Sequence, residues 1–118
     1  MFRLFLVALA LTLTACTSQE EADYKRAQKE ISQEHYRIGL SYLDRVIKRN
    51  NTKSLTLEAA REAARISFFE IKDFNKAIDY HHFIVLNSTD EKERLESQKQ
   101  IAAIYFNSLQ NYQRAIIE

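Results

Sequence analysis

Few side chains in this chain have the type and spacing that chemistry needs. There is one cysteine, Cys16, and there are three histidines, His35, His81 and His82. His81 and His82 are adjacent, and successive residues on a helix point about 100° apart, so the two cannot present ligands on one face. The close carboxylates, Glu91 with Glu93 and Glu58 with Glu62, sit where helix starts and solvated helix faces account for them. No G-x-x-x-x-G-K, H-E-x-x-H or G-x-S-x-G arrangement occurs. The expectation is a protein without enzymatic activity, without a bound metal and without a cofactor.

Cys16 has another use, set by what precedes it. Met1-Phe2-Arg3 is a short positive start, and Leu4 to Leu13 is an apolar run broken only by Thr12. A membrane-spanning helix needs about 20 apolar residues. This run is shorter and has the length of a signal-peptide core. It leads into Leu13-Thr14-Ala15-Cys16. As the only cysteine, Cys16 has no disulfide partner. The four residues resemble the lipobox of bacterial lipoproteins: leucine, two small residues, then the cysteine. The resemblance implies a diacylglyceryl group on Cys16 Sγ, cleavage between Ala15 and Cys16, and acylation of the new amine. Several acyl chains hold a protein on a membrane far better than one. Thr17 follows; in enterobacterial-type sorting an aspartate there favours the inner membrane, so threonine implies the outer membrane and its periplasmic face. Residues 1–15 thus read as a signal peptide and 16–23 as lipidated cysteine and polar tether. Residues 24–118 read as the folded part. Removing the segment that carries Arg3 leaves basic and acidic side chains equal in number, so charge adds little to membrane attachment.

The elements that follow must be helical. The 118 residues hold no proline and one glycine, Gly39, whereas sheet proteins need glycine- or proline-rich turns at short intervals. With 46% hydrophobic residues the chain can build a core. Its 17 basic and 16 acidic side chains are interspersed, with no basic stripe, which argues against nucleic acid as a ligand.

The sequence also repeats. Tyr36, Phe74 and Tyr112 are 38 residues apart, as are Gly39, Ala77 and Ala115, and Leu40, Ile78 and Ile116. Ala64, Ile66 and Phe68 align at the same offset with Ala102, Ile104 and Phe106, and Ile71 with Leu109. Each period has room for two helices. Ala60, Ala63, Ala64, Phe68 and Ile71 mark the face of a first helix. Asp73 and Asn111 are placed to cap a second one after a turn of two or three residues. The second helices are expected over Tyr36 to Lys48 and Phe74 to Leu86. Ser88 and Glu91 have the spacing of a capping box for the helix after that.

Asp73-Phe74-Asn75-Lys76-Ala77-Ile78-Asp79-Tyr80 resembles the tetratricopeptide repeat throughout. Asn111-Tyr112-Gln113-Arg114-Ala115-Ile116 resembles it as far as it goes, and His35 to Tyr42 more loosely. The period departs from the usual 34, the closing proline is missing, and the first helix around Tyr24, Ala27 and Ile31 is unusually polar. The resemblance implies an all-α, solenoid-like stack of antiparallel helix pairs. In it Gly39 and Ala77 allow close helix approach, and Tyr36 and Phe74 fill the space near each turn. It also implies a groove lined by first helices: Ala59, Glu62, Ile66, Phe69 and Glu70 in the second unit, and Ser97, Gln100, Ile104, Asn107 and Ser108 in the third. Ile66 and Phe69 between Glu62 and Glu70 suit a peptide with an apolar anchor and basic neighbours. Ile66 and Ile104 equally suit packing between units.

The function expected from these features is a lipid-anchored scaffold that binds envelope proteins. Lipoproteins with such repeats serve β-barrel assembly, pilus assembly and the coordination of cell-wall enzymes. The alternatives are the non-catalytic helical part of a cell-wall lytic enzyme, or a structural lipoprotein that self-associates. The third unit stops inside its second helix. That predicts either a longer repeat protein, the preferred reading because the break falls inside the motif, or an end that docks on another copy or a partner.

Overall fold

The computed structural model describes residues 19–117, with side chains through Asn107. Among the described residues every regular element is helical and there is no strand, so the described part of the chain is all-α. Residues 1–15, which read as a signal peptide, and Cys16 lie outside the described residues. So do the side chains of Ser108, Tyr112 and Ala115. The chain divides into two compact units, one through Ala59 and one from Ala60.

In the first unit, helix α1 occupies residues 19–32 and α2 runs Tyr36–Arg49. Gly39, Leu40, Leu43 and Val46 form one buried stripe along α2, the spacing of an amphipathic helix. Between the helices Glu34 takes a left-handed φ of 63°. His35 closes the turn: its N–H donates to Glu30 O at 2.8 Å, and its Nδ1 lies 2.8 Å from Glu30 Oε2. A Cβ on Gly39 would stand 2.7 Å from Ile31 Cγ1 and 3.3 Å from Ala27 O. The single glycine of the chain therefore lies in a close contact between α2 and α1, where a larger residue would press on the Ile31 side chain and crowd the Ala27 carbonyl.

Residues 19–23 were assigned to the tether by their polarity, and here the structure corrects the sequence. They are helical, and Glu20 and Asp23 are buried. Arg49 Nη1 donates to Asp23 Oδ2 at 2.7 Å, and the Asn51 N–H donates to Glu20 Oε1 at 3.1 Å. Polar side chains that find long-range partners belong to a fold, whatever their hydropathy. Asn50 ends α2 in the left-handed conformation at φ 47°, its N–H returning to Val46 O.

Helix α3, Lys53–Ile66, carries an alanine-rich buried face: Ala59, Ala60, Ala63 and Ala64. It passes directly into a five-residue π segment, Ser67–Ile71. Lys72 then turns left-handed at φ 59°. The Asp73 carboxylate accepts from the Lys76 N–H at 3.1 Å. Asp73 is thus the N-cap of α4, Phe74–Asn87, after a two-residue turn, as expected. Helix α5 spans Glu91–Ile117. In the second unit α4 packs on α5 through Ala77, Ile78, Ile101 and Ile104, with Phe68 and Val85 against the cluster. Phe74 meets Phe68 edge-on, with centroids 5.5 Å apart, so it does pack near the turn, while remaining partly exposed.

Two local expectations fail. Helix α5 opens on Asp90, whose carboxylate accepts from the Lys92 N–H at 3.0 Å, while Ser88 Oγ accepts from the Asp90 N–H at 3.2 Å. The aspartate displaces the Ser88–Glu91 capping box because its side chain reaches the first free N–H groups directly. The second difference is larger. No turn forms at Asn111, and α5 continues through it to Ile117. At the corresponding point of the preceding period the turn is made by a left-handed residue, Lys72. The matching residue is Gln110, in a run, Asn107 to Asn111, without glycine or proline. Such a run keeps its i→i−4 bonds more cheaply than it breaks them.

Ala77 is fully buried in the α4–α5 contact. Ala77→Trp is expected to lower stability by about 1–3 kcal/mol through overpacking. The measurement is the melting midpoint by circular dichroism. An unchanged midpoint would show that Ala77 does not sit in a close contact.

Candidate partner-binding cleft

The first helix of the second unit exposes what its packing does not consume. Along α3, Ala63, Ala64 and Ile66 face the core, which leaves Arg61 and Arg65, four residues apart, exposed on one side. Arg61 reaches α5, with Nε and Nη2 donating to Glu93 at 3.0 and 2.9 Å. Arg65 stays on its own helix, with Nε and Nη2 donating to Glu62 at 3.0 and 2.6 Å. Glu70 stands 3.9 Å from Arg65 Nη1. Each guanidinium is held flat by a two-pronged bond to a carboxylate, the strong geometry for this pair.

The π segment sets the aromatics. In a regular helix Ile66 and Phe69 would lie on neighbouring faces. The wider turn over Ser67–Ile71 separates them. Ile66 is fully buried, and Phe69 is 64% exposed. Phe68 turns inward and holds Phe69 edge-on, centroids 4.8 Å apart.

Together these residues enclose an open cleft of about 250 Å³. Phe68, Phe69 and Ala64 give it apolar walls. Arg61 and Arg65 contribute guanidinium groups, and His81 from α4 and Gln100 from α5 complete it. His81 is half-buried, its Nδ1 lying 3.3 Å from Ser97 Oγ. Burial lowers its pKa below the ordinary imidazole value, against the opposing field of Glu96. Burial thus favours the neutral form of the imidazole. Gln100 donates to Glu96 at 3.1 Å. His82 is exposed and outside the cleft, and the two adjacent histidines do diverge as helix geometry requires.

Of the groove residues expected from sequence, the structure brings Phe69 and Gln100 into the cleft. Glu62 and Glu70 act on it through Arg65. For Ile66 and Ile104, which suited groove and core equally, burial favours the core: they are 0% and 3% exposed, because apolar side chains gain more from burial than an open groove offers. Ala59 and Ser97 are buried as well. Asn107 is exposed but does not line the cleft. Arg61, Arg65 and His81 were missed. The i, i+4 spacing of the two arginines was the available signal for the first pair. For His81 there was none, since its place depends on how α4 meets α5.

No protein-family model matches the chain, and no curated protein and no solved structure is significantly similar to it. Among the described residues, no helix is long and apolar enough to cross a membrane. None of their His, Cys, Asp and Glu side chains form a group of three or more able to hold a metal ion.

Proposed function

We propose that the chain is a lipid-anchored helical-repeat module that binds protein partners through the cleft at Phe69. The observation that carries this is Phe69 itself. A large aromatic ring stands 64% exposed at the mouth of a cleft, steadied edge-on by Phe68. Preordered aromatic side chains beside a pocket are the usual anchors of protein recognition. The repeat reading has support from the element bounds. Helices α2 and α4 are each 14 residues long, Tyr36–Arg49 and Phe74–Asn87, in step with the 38-residue sequence offset. The anchor reading rests on Leu13-Thr14-Ala15-Cys16, and with it the proposal of an envelope location on the periplasmic side of an outer membrane.

The test is capture from position 69. A benzophenone side chain replacing Phe69 is expected to cross-link discrete envelope proteins on illumination, and the same group at Leu86, exposed on α4, is expected not to. Phe69→Ala should weaken co-purification of those proteins roughly tenfold or more while leaving the helical circular dichroism signal intact. Equal labelling from positions 69 and 86, or unchanged co-purification by Phe69→Ala, would defeat the reading.

A further inference from the structure

The overall charge balance conceals an uneven face on the first unit. Arg26 of α1 and Arg45 of α2 are both exposed, and both lie against the ring of Tyr42, their guanidinium carbons 6.0 and 5.0 Å from its centroid. Among the described residues neither makes an ion pair. Lys29, one turn past Arg26 on the same side of α1, is likewise exposed and makes none. Ile38, one turn before Tyr42 on α2, is 50% exposed. The neighbouring carboxylates are engaged or turned away. Asp23 is bound by Arg49, and Glu30 by His35. Glu21 is about 140° round α1 from Arg26, and Asp44 about 160° round α2 from Tyr42. The face therefore sets three cations beside a phenol ring and an aliphatic side chain. It is also close to the proposed anchor. Arg26 is seven residues beyond residue 19, about 10 Å along the helix.

Resting on the anchor reading, which brings Cys16 to a bilayer, we propose that this face docks on anionic phospholipid headgroups. Arg26, Lys29 and Arg45 meet the phosphates. Tyr42 and Ile38 sit at headgroup level, the usual arrangement of aromatic and aliphatic side chains with cationic neighbours at an interface. Each cation near an anionic surface strengthens binding about fivefold. The three thus orient a chain that is already anchored, and do not hold one that is not.

The chain has no tryptophan, so one placed on this face reports its surroundings. The full chain carrying Ile38→Trp, purified in non-ionic detergent, is transferred to vesicles of phosphatidylcholine alone or with about one-third phosphatidylglycerol. Its emission is expected to shift to the blue on the anionic vesicles only, and the shift should fade as salt rises. Arg26→Gln combined with Arg45→Gln should weaken docking about 20- to 30-fold and abolish the shift. Arg26→Lys combined with Arg45→Lys should keep it, and both pairs should leave the helical signal unchanged. Gln28→Trp, exposed on the far side of α1, should not shift. An equal shift on neutral vesicles, an equal shift from Gln28→Trp, or no shift at all overturns the proposal. Fatty-acid labelling of Cys16 separates it from the anchor reading: a labelled chain without the shift loses the docking face alone, and a shifted chain without label loses the anchor alone.

Discussion

Ile66→Ala is expected to destabilise the second unit by about 2–5 kcal/mol, the range for truncating a fully buried aliphatic side chain. Ile66 is 0% exposed at the end of α3, where the helix passes into the π segment. Removing three carbons there leaves a cavity in a closely packed interior that relaxes only in part. The melting midpoint should fall by about 10 °C or more for a domain of this size. The variant also separates two roles that one residue type can play. A contact residue would reduce partner capture at unchanged stability. A core residue reduces stability first, and any loss of capture follows the unfolded fraction. Urea unfolding at several temperatures gives the stability directly. A change under about 0.5 kcal/mol, the range of ordinary surface substitutions, together with lost capture would return Ile66 to the binding surface.

Cys16→Ser is expected to abolish lipid attachment completely. An oxygen in place of Sγ cannot form the thioether on which the proposed diacylglyceryl anchor depends, and no other cysteine exists to substitute. The effect is all or none, because removing a multi-chain anchor removes nearly all affinity for the bilayer. Each buried methylene contributes about 0.8 kcal/mol, and the nearly balanced charge of the chain offers no electrostatic replacement. Metabolic labelling with a radioactive or alkyne-bearing fatty acid, followed by fractionation, measures both consequences. Wild type should carry label in the membrane fraction, and the variant should carry none. An unlabelled wild type would defeat the anchor proposal while leaving the cleft experiments unaffected.

The helices were legible in the sequence wherever amphipathic spacing and a capping residue coincided. Tyr36–Arg49 and Phe74–Asn87 came out within a residue at each end, since Asn50 and Asp73 are side chains that end or begin helices for local reasons. The turn at Asn111 was misplaced because a repeat ladder registers similarity of side chains, whereas a turn needs a residue held left-handed, as Lys72 is. The start of the fold was set too late because Glu20 and Asp23 look like tether until Asn51 and Arg49 are seen to bind them. In the cleft, Phe69 was found from the repeat positions. Its separation from Ile66 was not, because α-helical periodicity puts the two together and only a π turn pulls them apart. Arg61 and Glu93 lie 32 positions apart, a distance over which one sequence carries no pairing signal.

The early onset of α1 has a mechanical consequence for a lipid-anchored module. Only three residue steps separate Cys16 from residue 19, where helix is already present, and a chain that short spans at most about 10–11 Å. Glu20 and Asp23 then fasten that helix to the α2 end at once. If Cys16 carries the proposed lipid, that covalent limit would keep the folded part within a thin layer over the headgroups, out of reach of distant partners. Partners attached to the same membrane would meet it at a raised local concentration, so a cleft of modest intrinsic affinity would still be well occupied by them. Lengthening the stretch before Glu20 with a flexible insert would dilute that advantage without touching a single contact residue.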